Sequence, residues 1–194
     1  MIIGITGGIG AGKSTVAELL RSMGYMVYDS DLQARKLQNE NTELKQKIQH
    51  LFGSDIYNEA GLNRAALAKI VFNKPELLEQ LSNLVHPVVE SDFVAWVKSN
   101  SQARVHFIES AILFESNFNK LTDKIILVMA AEDVRISRVQ KRDGLSYEQV
   151  RKRTSRQTSD EDKKKWVDAV IYTDDEKETL SEKVESVLLN LLSH

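Results

Sequence analysis

A glycine-rich segment near the start of the sequence has the residue types and spacing of a phosphate-binding loop. Residues 7–14 read Gly-Gly-Ile-Gly-Ala-Gly-Lys-Ser, a complete G-x-x-x-x-G-K-S pattern, and the apolar run from Met1 to Ile5 that precedes them predicts a buried strand. Backbone N–H groups can converge on phosphate oxygens only where side chains do not intrude, and glycines meet that requirement. The segment therefore predicts binding of a nucleoside triphosphate.

The positions within this segment have distinct predicted roles. Thr15 to Met23 reads as a helix, which would direct a positive helix end at the β-phosphate. Lys13 is expected to bridge the β- and γ-phosphates, and the Ser14 hydroxyl is expected to ligate Mg²⁺. The residues predicted to bind the nucleotide in this segment are Gly8, Gly10, Ala11, Gly12, Lys13, Ser14 and Thr15.

The elements that must position this loop form an alternating series of short apolar runs and helical segments. Such alternation predicts an α/β fold, with a five-stranded parallel sheet that is covered by helices on both faces. Ligands of such sheets bind at the carboxyl ends of the strands. Beyond the first strand, the predicted strands are Met26–Tyr28, Val105–Ile108, Lys124–Ala130 and Ala169–Thr173. A final helix, 176–192, has Leu180, Val184, Val187, Leu188 and Leu191 at helical spacing and is expected to close the core.

The middle of the chain has no strand signal and predicts a helical insertion, residues 31–104, between two parts of a nucleotide-binding core, residues 1–30 and 105–194. Three helices are predicted in it, at residues 42–52, 63–72 and 75–98. Asn63 suits a helix cap and Pro75 suits a first helical turn. Pro87 lies inside the last helix, which is therefore expected to kink or break near His86.

Residues 131–157 predict an arginine-rich helical hairpin that resembles a lid. Its two helices are expected to meet at Asp143-Gly144, and Ser146-x-x-Gln149 reads as a capping box. Arg138 and Arg142 are four residues apart and share a helix face, so both can point at one ligand, and Arg135 is a further candidate. A solvated basic face is the alternative interpretation for Arg151 and Lys152.

The overall composition excludes several other kinds of chemistry. The formal net charge is −2, which does not favour nucleic acid or a membrane surface as a main partner. There are no cysteines, so disulfides, thiolate metal sites and a cysteine nucleophile are excluded. No apolar run approaches the roughly 20 residues that span a bilayer, and the N-terminus shows no secretory pattern. A soluble, cytoplasmic protein is expected.

Further motifs distinguish among the classes of protein that share this loop. The base-reading Asn-Lys-x-Asp of GTPases is absent, because residues 73–76 read Asn-Lys-Pro-Glu, and the Leu-Ser-Gly-Gly-Gln of transporter ATPases is absent as well. A small kinase is favoured. Asp31, after the second strand, can orient an acceptor hydroxyl and accept its proton. The alternative is that Asp29 or Asp31 only caps the next helix.

Four segments in this order resemble the dephospho-CoA kinase family, from Ile3 to about Thr173. They are Asp29-Ser30-Asp31 with Arg35, His86-Pro87-Val88-Val89, Ile112-Leu113-Phe114-Glu115, and Arg142-Asp143-Gly144 followed by Arg153 and Gln157. The resemblance implies a P-loop kinase-like three-layer fold. It also implies ATP-dependent phosphorylation of the ribose 3′-hydroxyl of dephospho-CoA, which is the last step of coenzyme A biosynthesis.

The resemblance also implies roles for individual residues. Asp31 corresponds to the family's proposed base, Arg142 to a lid arginine on the phosphates, and Thr6 to an active-site position. Arg35 and His86 match positions near the acceptor pocket, although a surface ion pair and a helix-breaking His-Pro are the alternatives. Glu109 can hold Mg²⁺ through water or can simply face solvent at a strand end.

The sequence departs from the family pattern in three places. Glu109 stands where the family more often has aspartate, and Ala111 replaces a proline, which changes backbone stiffness only. Thr173 and Asp175 stand where the family tends to have asparagine and glycine, so an adenine contact by that turn is in doubt. A kinase of another nucleotide or metabolite and a nucleotide-dependent switch remain competing hypotheses. The expected partners are ATP and dephospho-CoA, and the expected assembly is a monomer or a weak homo-oligomer.

Overall fold

The computed structural model describes residues 1–71, 74–154, 157–174 and 177–193. The chain forms two compact units, Met1–Asp29 with Asn100–His194, and Ser30–Ser99. The strands are β1 (Ile2–Thr6), β2 (Met26–Asp29), β3 (Tyr57–Asn58), β4 (Gly61–Leu62), β5 (His106–Glu109), β6 (Lys124–Met129) and β7 (Ala169–Tyr172). Within this described part, no helix combines the length and the hydrophobicity needed to cross a lipid bilayer.

The helices follow the same chain order. They are α1 (Lys13–Ser22), α2 (Ser30–Glu40), α3 (Thr42–Phe52), α4 (Arg64–Val71), α5 (Pro75–Ser99), α6 (Glu132–Asp143), α7 (Tyr147–Thr154), α8 (Asp160–Lys163) and α9 (Lys177–Leu192). Short 3₁₀ turns occur at Ser54–Ile56, Phe118–Leu121 and Lys164–Trp166. The predicted helices 42–52, 63–72 and 75–98 correspond to α3, α4 and α5; Phe72 and Asn73 lie outside the described residues.

The first unit is built on a five-stranded parallel sheet in the order β2-β5-β1-β6-β7. The predicted α/β fold with this sheet is confirmed, and each predicted strand matches within one residue at either end. β1 is central, so its side chains are buried on both faces: Ile3 and Ile5 on one face and Thr6 on the other are completely buried. The phosphate loop therefore follows the central strand of the sheet, which is hydrogen-bonded to a neighbouring strand on each side.

The core on one side of this sheet is formed by α1 and α9. Val16 and Leu20 of α1 pack in one apolar cluster with β1 and with α9. The prediction that the last helix closes the core is confirmed. Four of its five periodic apolar residues are buried in that cluster, and Val187 is partly buried against it. The four buried residues are Leu180, Val184, Leu188 and Leu191. This packing fixes the start of α1, and with it the end of the phosphate loop.

The second unit consists of α2 to α5 and a small antiparallel hairpin of β3 and β4. The expectation that the middle of the chain contains no strand is wrong at this hairpin, since strands of two residues are too short to show a period-two pattern. Asn63 caps α4 as predicted, because its side chain accepts the Ala66 N–H at 3.0 Å. Of the predicted kink or break near His86, the break is wrong, because α5 runs from Pro75 to Ser99 through Pro87; the kink stays a prediction.

The hairpin of α6 and α7 belongs to the first unit. Gly144 ends α6 with φ 66°, and the predicted capping box is present, with the Ser146 N–H donating to Gln149 Oε1 at 2.9 Å and the Gln149 N–H donating to Ser146 Oγ at 3.3 Å. Three buried residues of the hairpin region form a small apolar cluster against which Ile9 of the phosphate loop packs: Ile136, Val139 and Val150. The loop and the hairpin are thus in direct contact.

Candidate active site

The phosphate loop connects the end of β1 at Thr6 to the start of α1 at Lys13. Gly12 is the residue before the helix and has φ 89°, a left-handed conformation that side chains oppose. A Cβ at Gly12 would also lie 2.9 Å from the Thr173 hydroxyl oxygen. Glycine is therefore required here on two counts, and the turn directs the positive end of α1 toward the loop.

The predicted phosphate-binding lysine lies under this loop. Lys13 is buried, and its ammonium group donates to the carbonyl oxygens of Gly7 at 3.0 Å and Gly8 at 3.3 Å. These contacts place a positive charge at the centre of the loop. Together with the helix end, they make the site one that favours an anion.

The two predicted metal ligands lie side by side. Glu109 is the last residue of β5, opposite Ile5 of β1, and it is buried. The Ser14 hydroxyl donates to Glu109 Oε1 at 3.4 Å. A hydroxyl and a carboxylate are oxygen donors of the kind that Mg²⁺ takes, and Mg²⁺ typically uses few protein ligands and completes its shell with water and phosphate. The donor pair therefore fits this ion.

Thr6, the last residue of β1, differs from the other predicted site residues. It is completely buried, and within the described residues its Oγ1 has no hydrogen-bond partner. A buried hydroxyl without a partner is uncommon in folded proteins. Thr6 lies at the base of the loop, and its predicted catalytic role stays a prediction.

Arg138 of α6 binds Thr173, the residue that stands where the family tends to have an asparagine. Its guanidinium donates to the Thr173 hydroxyl at 2.9 Å and to the Thr173 carbonyl at 2.6 Å, and lies 3.5 Å from the Gly10 carbonyl. Thr173 is itself buried, and its hydroxyl donates to the Ala11 carbonyl at 2.7 Å. Thr173 therefore links β7, the loop and the hairpin. The sequence pointed to this position only through the end of a predicted strand and the family's asparagine there, and neither signal predicted these contacts.

The other two candidate arginines, Arg135 and Arg142, have different partners. That Arg138 and Arg142 can point at one ligand stays a prediction. Arg135 donates to the Ile9 carbonyl at 3.1 Å and forms an ion pair with Asp160 at 2.7 Å. Arg142 is exposed and pairs with its neighbour Asp143 at 2.8 Å; a hydrogen bond with that carboxylate raises the pKa of Arg142. Arg142 is therefore a charged group at the surface of the hairpin.

Motif residues of the last two family segments connect this side of the site to the sheet. Gln157 accepts the Ile9 N–H at 3.1 Å and donates to the Ala111 carbonyl at 2.8 Å. Glu115 accepts the Thr158 N–H at 2.8 Å and lies 3.9 Å from the completely buried ammonium of Lys163. The sequence did not predict these contacts, which fix the segment after α7. The side chain of Arg153, and residues 155, 156 and 175, lie outside what the structure describes.

The predicted acceptor residues belong to the helical unit. Asp31 is an exposed residue in the first turn of α2, where a carboxylate interacts favourably with the helix N-terminus. Arg35 is exposed on the same helix, and its carbonyl accepts a hydrogen bond from Arg64 at 3.0 Å. Burial, and secondarily the charge of Arg35, lower the pKa of Arg64. Two cations are therefore close together in this unit, and the sequence did not point to Arg64.

His86 lies within α5, directly before Pro87, and is half-buried. Burial lowers the pKa of His86 below its ordinary value. The folded protein therefore binds a proton at this site less readily than the unfolded chain does.

Stability should consequently depend on pH through His86. As the pH falls through about 6.5, the unfolded chain takes up a proton that the folded chain resists, so the free energy of unfolding should decrease. Replacement of His86 by glutamine should reduce this decrease, as measured by urea unfolding between pH 8 and pH 5. His50→Gln, at an exposed position on α3, is the matched control for loss of an imidazole. An identical pH profile for His86→Gln and the native sequence would contradict the prediction.

The site and fold together define a P-loop nucleotide-binding protein with a parallel sheet, a lysine-containing phosphate loop and an arginine-bearing helical hairpin. Comparison with known proteins narrows this class. Residues 1–179 match the dephospho-CoA kinase family, and the chain belongs to that family.

Individual relatives agree with this placement. A dephospho-CoA kinase from Porphyromonas gingivalis is 45% identical over 151 residues, which cover 78% of this chain and 74% of that protein. The solved structure of TT1252 from Thermus thermophilus matches with a TM-score of 0.85 and 39% identity, over 98% of this chain and 97% of the other. A dephospho-CoA kinase from Campylobacter jejuni matches with a TM-score of 0.71 and 26% identity, over 98% and 96%.

Proposed function

We propose that this protein transfers the γ-phosphate of ATP to the ribose 3′-hydroxyl of dephospho-CoA, giving coenzyme A and ADP. The observation that carries the proposal is the phosphate loop, in which buried Lys13 lies beneath the turn and Ser14 meets Glu109 at 3.4 Å, in a chain that belongs to the dephospho-CoA kinase family. Phosphoryl transfer requires mainly positioning and neutralisation of charge, and this arrangement provides both.

On the nucleotide side, the loop N–H groups and Lys13 hold the β- and γ-phosphates of ATP. Ser14 and Glu109 are the residues that would hold Mg²⁺, which when bound offsets phosphate charge as it does in other P-loop proteins. Arg138 lies beside the loop carbonyl of Gly10 and so adds positive charge near the nucleotide. The remaining proposed nucleotide contacts are those of Gly8, Ala11, Gly12 and Thr15.

On the acceptor side, Asp31 orients the ribose hydroxyl and accepts its proton. Arg35 and Arg64 are adjacent cations of the helical unit, and their charge suits the diphosphate of dephospho-CoA. His86 contributes a half-buried imidazole to the same unit. Arg142, exposed on the hairpin, approaches the transferring phosphoryl group when the hairpin closes, and Thr6 supports the loop from below.

The proposal extends to the setting in which the enzyme works. Its formal net charge of −2 supports a small-molecule kinase with no nucleic-acid or membrane partner. We place it in the cytoplasm as a monomer or a weak homo-oligomer, in line with its lack of cysteine.

The test is a coupled assay of ADP release with ATP and Mg²⁺, in the presence and absence of dephospho-CoA, with the product identified by mass. ADP release that depends on dephospho-CoA, with a product heavier by one phosphoryl group, is expected. Lys13→Ala is the matched control against a contaminating kinase, since it removes the ammonium beneath the loop. Release driven instead by another nucleotide or metabolite would indicate a different acceptor, and slow release without any acceptor would favour a nucleotide-dependent switch.

Glu109→Gln should raise the Mg²⁺ concentration needed for half-maximal activity by about an order of magnitude. The amide keeps the size of the side chain but loses the charge that attracts the cation, and changes around a metal site typically weaken binding by 10–100-fold. The measurement is initial rate against Mg²⁺ at saturating ATP. Glu182→Gln, exposed on α9, is the charge-matched control. An unchanged dependence of the rate on Mg²⁺ would show that Glu109 does not help to bind the metal ion.

A further inference from the structure

Ile9, at the tip of the phosphate loop, is held on both sides of its backbone by side chains from distant parts of the chain. Its N–H donates to Gln157 Oε1 at 3.1 Å, and its carbonyl accepts from Arg135 Nε at 3.1 Å. Its side chain packs against the apolar cluster of the hairpin. The conformation of this tip is therefore set by groups more than a hundred residues away in sequence.

Arg135 is itself firmly held. Its Nη1 donates to Asp160 Oδ2 at 2.7 Å, and the two side chains are only 17% and 8% exposed. A bonded guanidinium in such surroundings has little freedom, because its planar donors are committed in fixed directions. The guanidinium also lies directly against Gly8, where a Cβ would come within 2.0 Å of Nη2. The ion pair thus forms a fixed support beside the loop.

This support determines the direction of a neighbouring hydrogen-bond donor. The Ile9 carbonyl and the Gly10 N–H belong to one planar trans peptide unit, so they point in opposite directions. Because the carbonyl is turned toward Arg135, the Gly10 N–H is turned away from it. The Ala11 N–H donates to the Gly8 carbonyl at 3.1 Å and the Ile9 N–H to Gln157. In the described part of the chain, the Gly10 N–H makes no such bond.

We propose that Arg135, fixed by Asp160, is a positioning residue for nucleotide binding: by holding the Ile9 carbonyl it aims the Gly10 N–H at the phosphates of the bound nucleotide. In this arrangement Arg135 acts through the backbone of the loop, because its charge is already paired with Asp160. The role depends only on nucleotide binding, so it holds whichever acceptor the enzyme uses.

The proposal is tested by following the Gly10 amide directly. The chain has nine glycines, so ¹⁵N-glycine labelling gives a simple spectrum, and ¹³C-carbonyl labelling of isoleucine selects only Gly4 and Gly10, the glycines that follow isoleucine. Addition of ADP with Mg²⁺ should shift the Gly10 resonance strongly in the native sequence. In Arg135→Ala this shift should be reduced, and the Kd for ADP should rise about tenfold, as expected for loss of a hydrogen bond to a charged group.

Two further variants keep the test decisive. Asp160→Asn preserves the shape of the partner but weakens its hold on Arg135, so it should reduce the Gly10 shift as well, and it serves alone if Arg135→Ala does not fold. Arg151→Ala removes an equal charge from the same hairpin at an exposed position near the Tyr147 ring, and it should bind ADP as the native sequence does.

The outcomes separate positioning from mere structural support. If the Gly10 resonance and the Kd for ADP respond normally in Arg135→Ala while only Tm falls, Arg135 stabilises the fold and does not position the donor. The proposal would also be overturned if the addition of ADP did not shift the Gly10 resonance of the native sequence. Neither result would affect the assignment of dephospho-CoA as acceptor, which is tested by acceptor-dependent ADP release.

Discussion

Asp31→Asn should lower kcat by roughly 10²–10⁴-fold, the usual contribution of a general base, while the KM for ATP changes little. Asparagine retains the size of the side chain and can still hydrogen-bond a hydroxyl, but it cannot take up the proton as the ribose oxygen attacks. Asp31 is exposed in the first turn of α2, so the substitution leaves the apolar cores untouched. Steady-state rates with ATP and dephospho-CoA varied in turn provide the measurement.

The adjacent carboxylate provides the sharpest control for this experiment. Asp29 is the last residue of β2, opposite Glu109 of β5, and Asp29→Asn alters the other member of the Asp-x-Asp pair. A large loss in Asp31→Asn with a smaller loss in Asp29→Asn is expected. The reverse pattern would transfer the role of base to Asp29. Near-normal turnover in both variants would leave only the helix-capping interpretation for these residues.

The sequence predicted the sheet well because its signals are local. Each strand is a short apolar run that the residues on either side interrupt, and a central parallel strand such as β1 must be apolar on both faces. The glycine pattern of residues 7–14 also determines its own setting, since a strand must deliver the loop and a helix must follow it. Errors were confined to single residues at strand ends, where the hydrogen bonding of the neighbouring strand decides the boundary.

The helical unit was predicted less accurately because packing overrode local preference. Pro87 removes one backbone hydrogen bond from α5 and disfavours a helical residue before it, yet the helix continues. Val85, Val89 and Phe93 are buried on both sides of the proline. Their burial, worth about 1.5–3 kcal/mol for each large side chain, offsets a penalty of about 3 kcal/mol. No local pattern in the sequence shows this balance.

The sequence named candidate residues for the site, but it did not predict the groups that these residues contact. Arg135, Arg138 and Arg142 are equivalent in a sequence pattern, since all lie on one helix. The structure separates them by groups that lie far along the chain, Asp160 for the first and Thr173 for the second. Only Arg142 is paired locally, with Asp143. Long-range pairing of this kind depends on how the hairpin meets the sheet, which spacing alone does not encode.

This difference in partners makes Arg142 the hairpin arginine whose loss should most affect the chemical step. Arg135 is fixed by a partly buried ion pair, and Arg138 is fixed on Thr173, so neither is available to follow a transferring group without breaking those contacts. Arg142 is exposed, and its partner Asp143 moves with it on the same helix. Arg142 keeps its charge at every working pH, as arginine side chains in proteins do.

Arg142→Ala should therefore reduce kcat by about 10²-fold or more, because a cation that meets the phosphoryl group in the transition state is lost. The KM for ATP should change less, since Lys13 and the loop still hold the nucleotide. Lys141→Ala, an exposed neighbour of the same charge on α6, is the matched control and should keep normal turnover. Single-turnover rates at saturating ATP and dephospho-CoA separate chemistry from binding. A loss confined to KM would mean that Arg142 binds substrate equally in the ground state and the transition state. Lys13 and the metal would then neutralise the charge of the transferring group without Arg142.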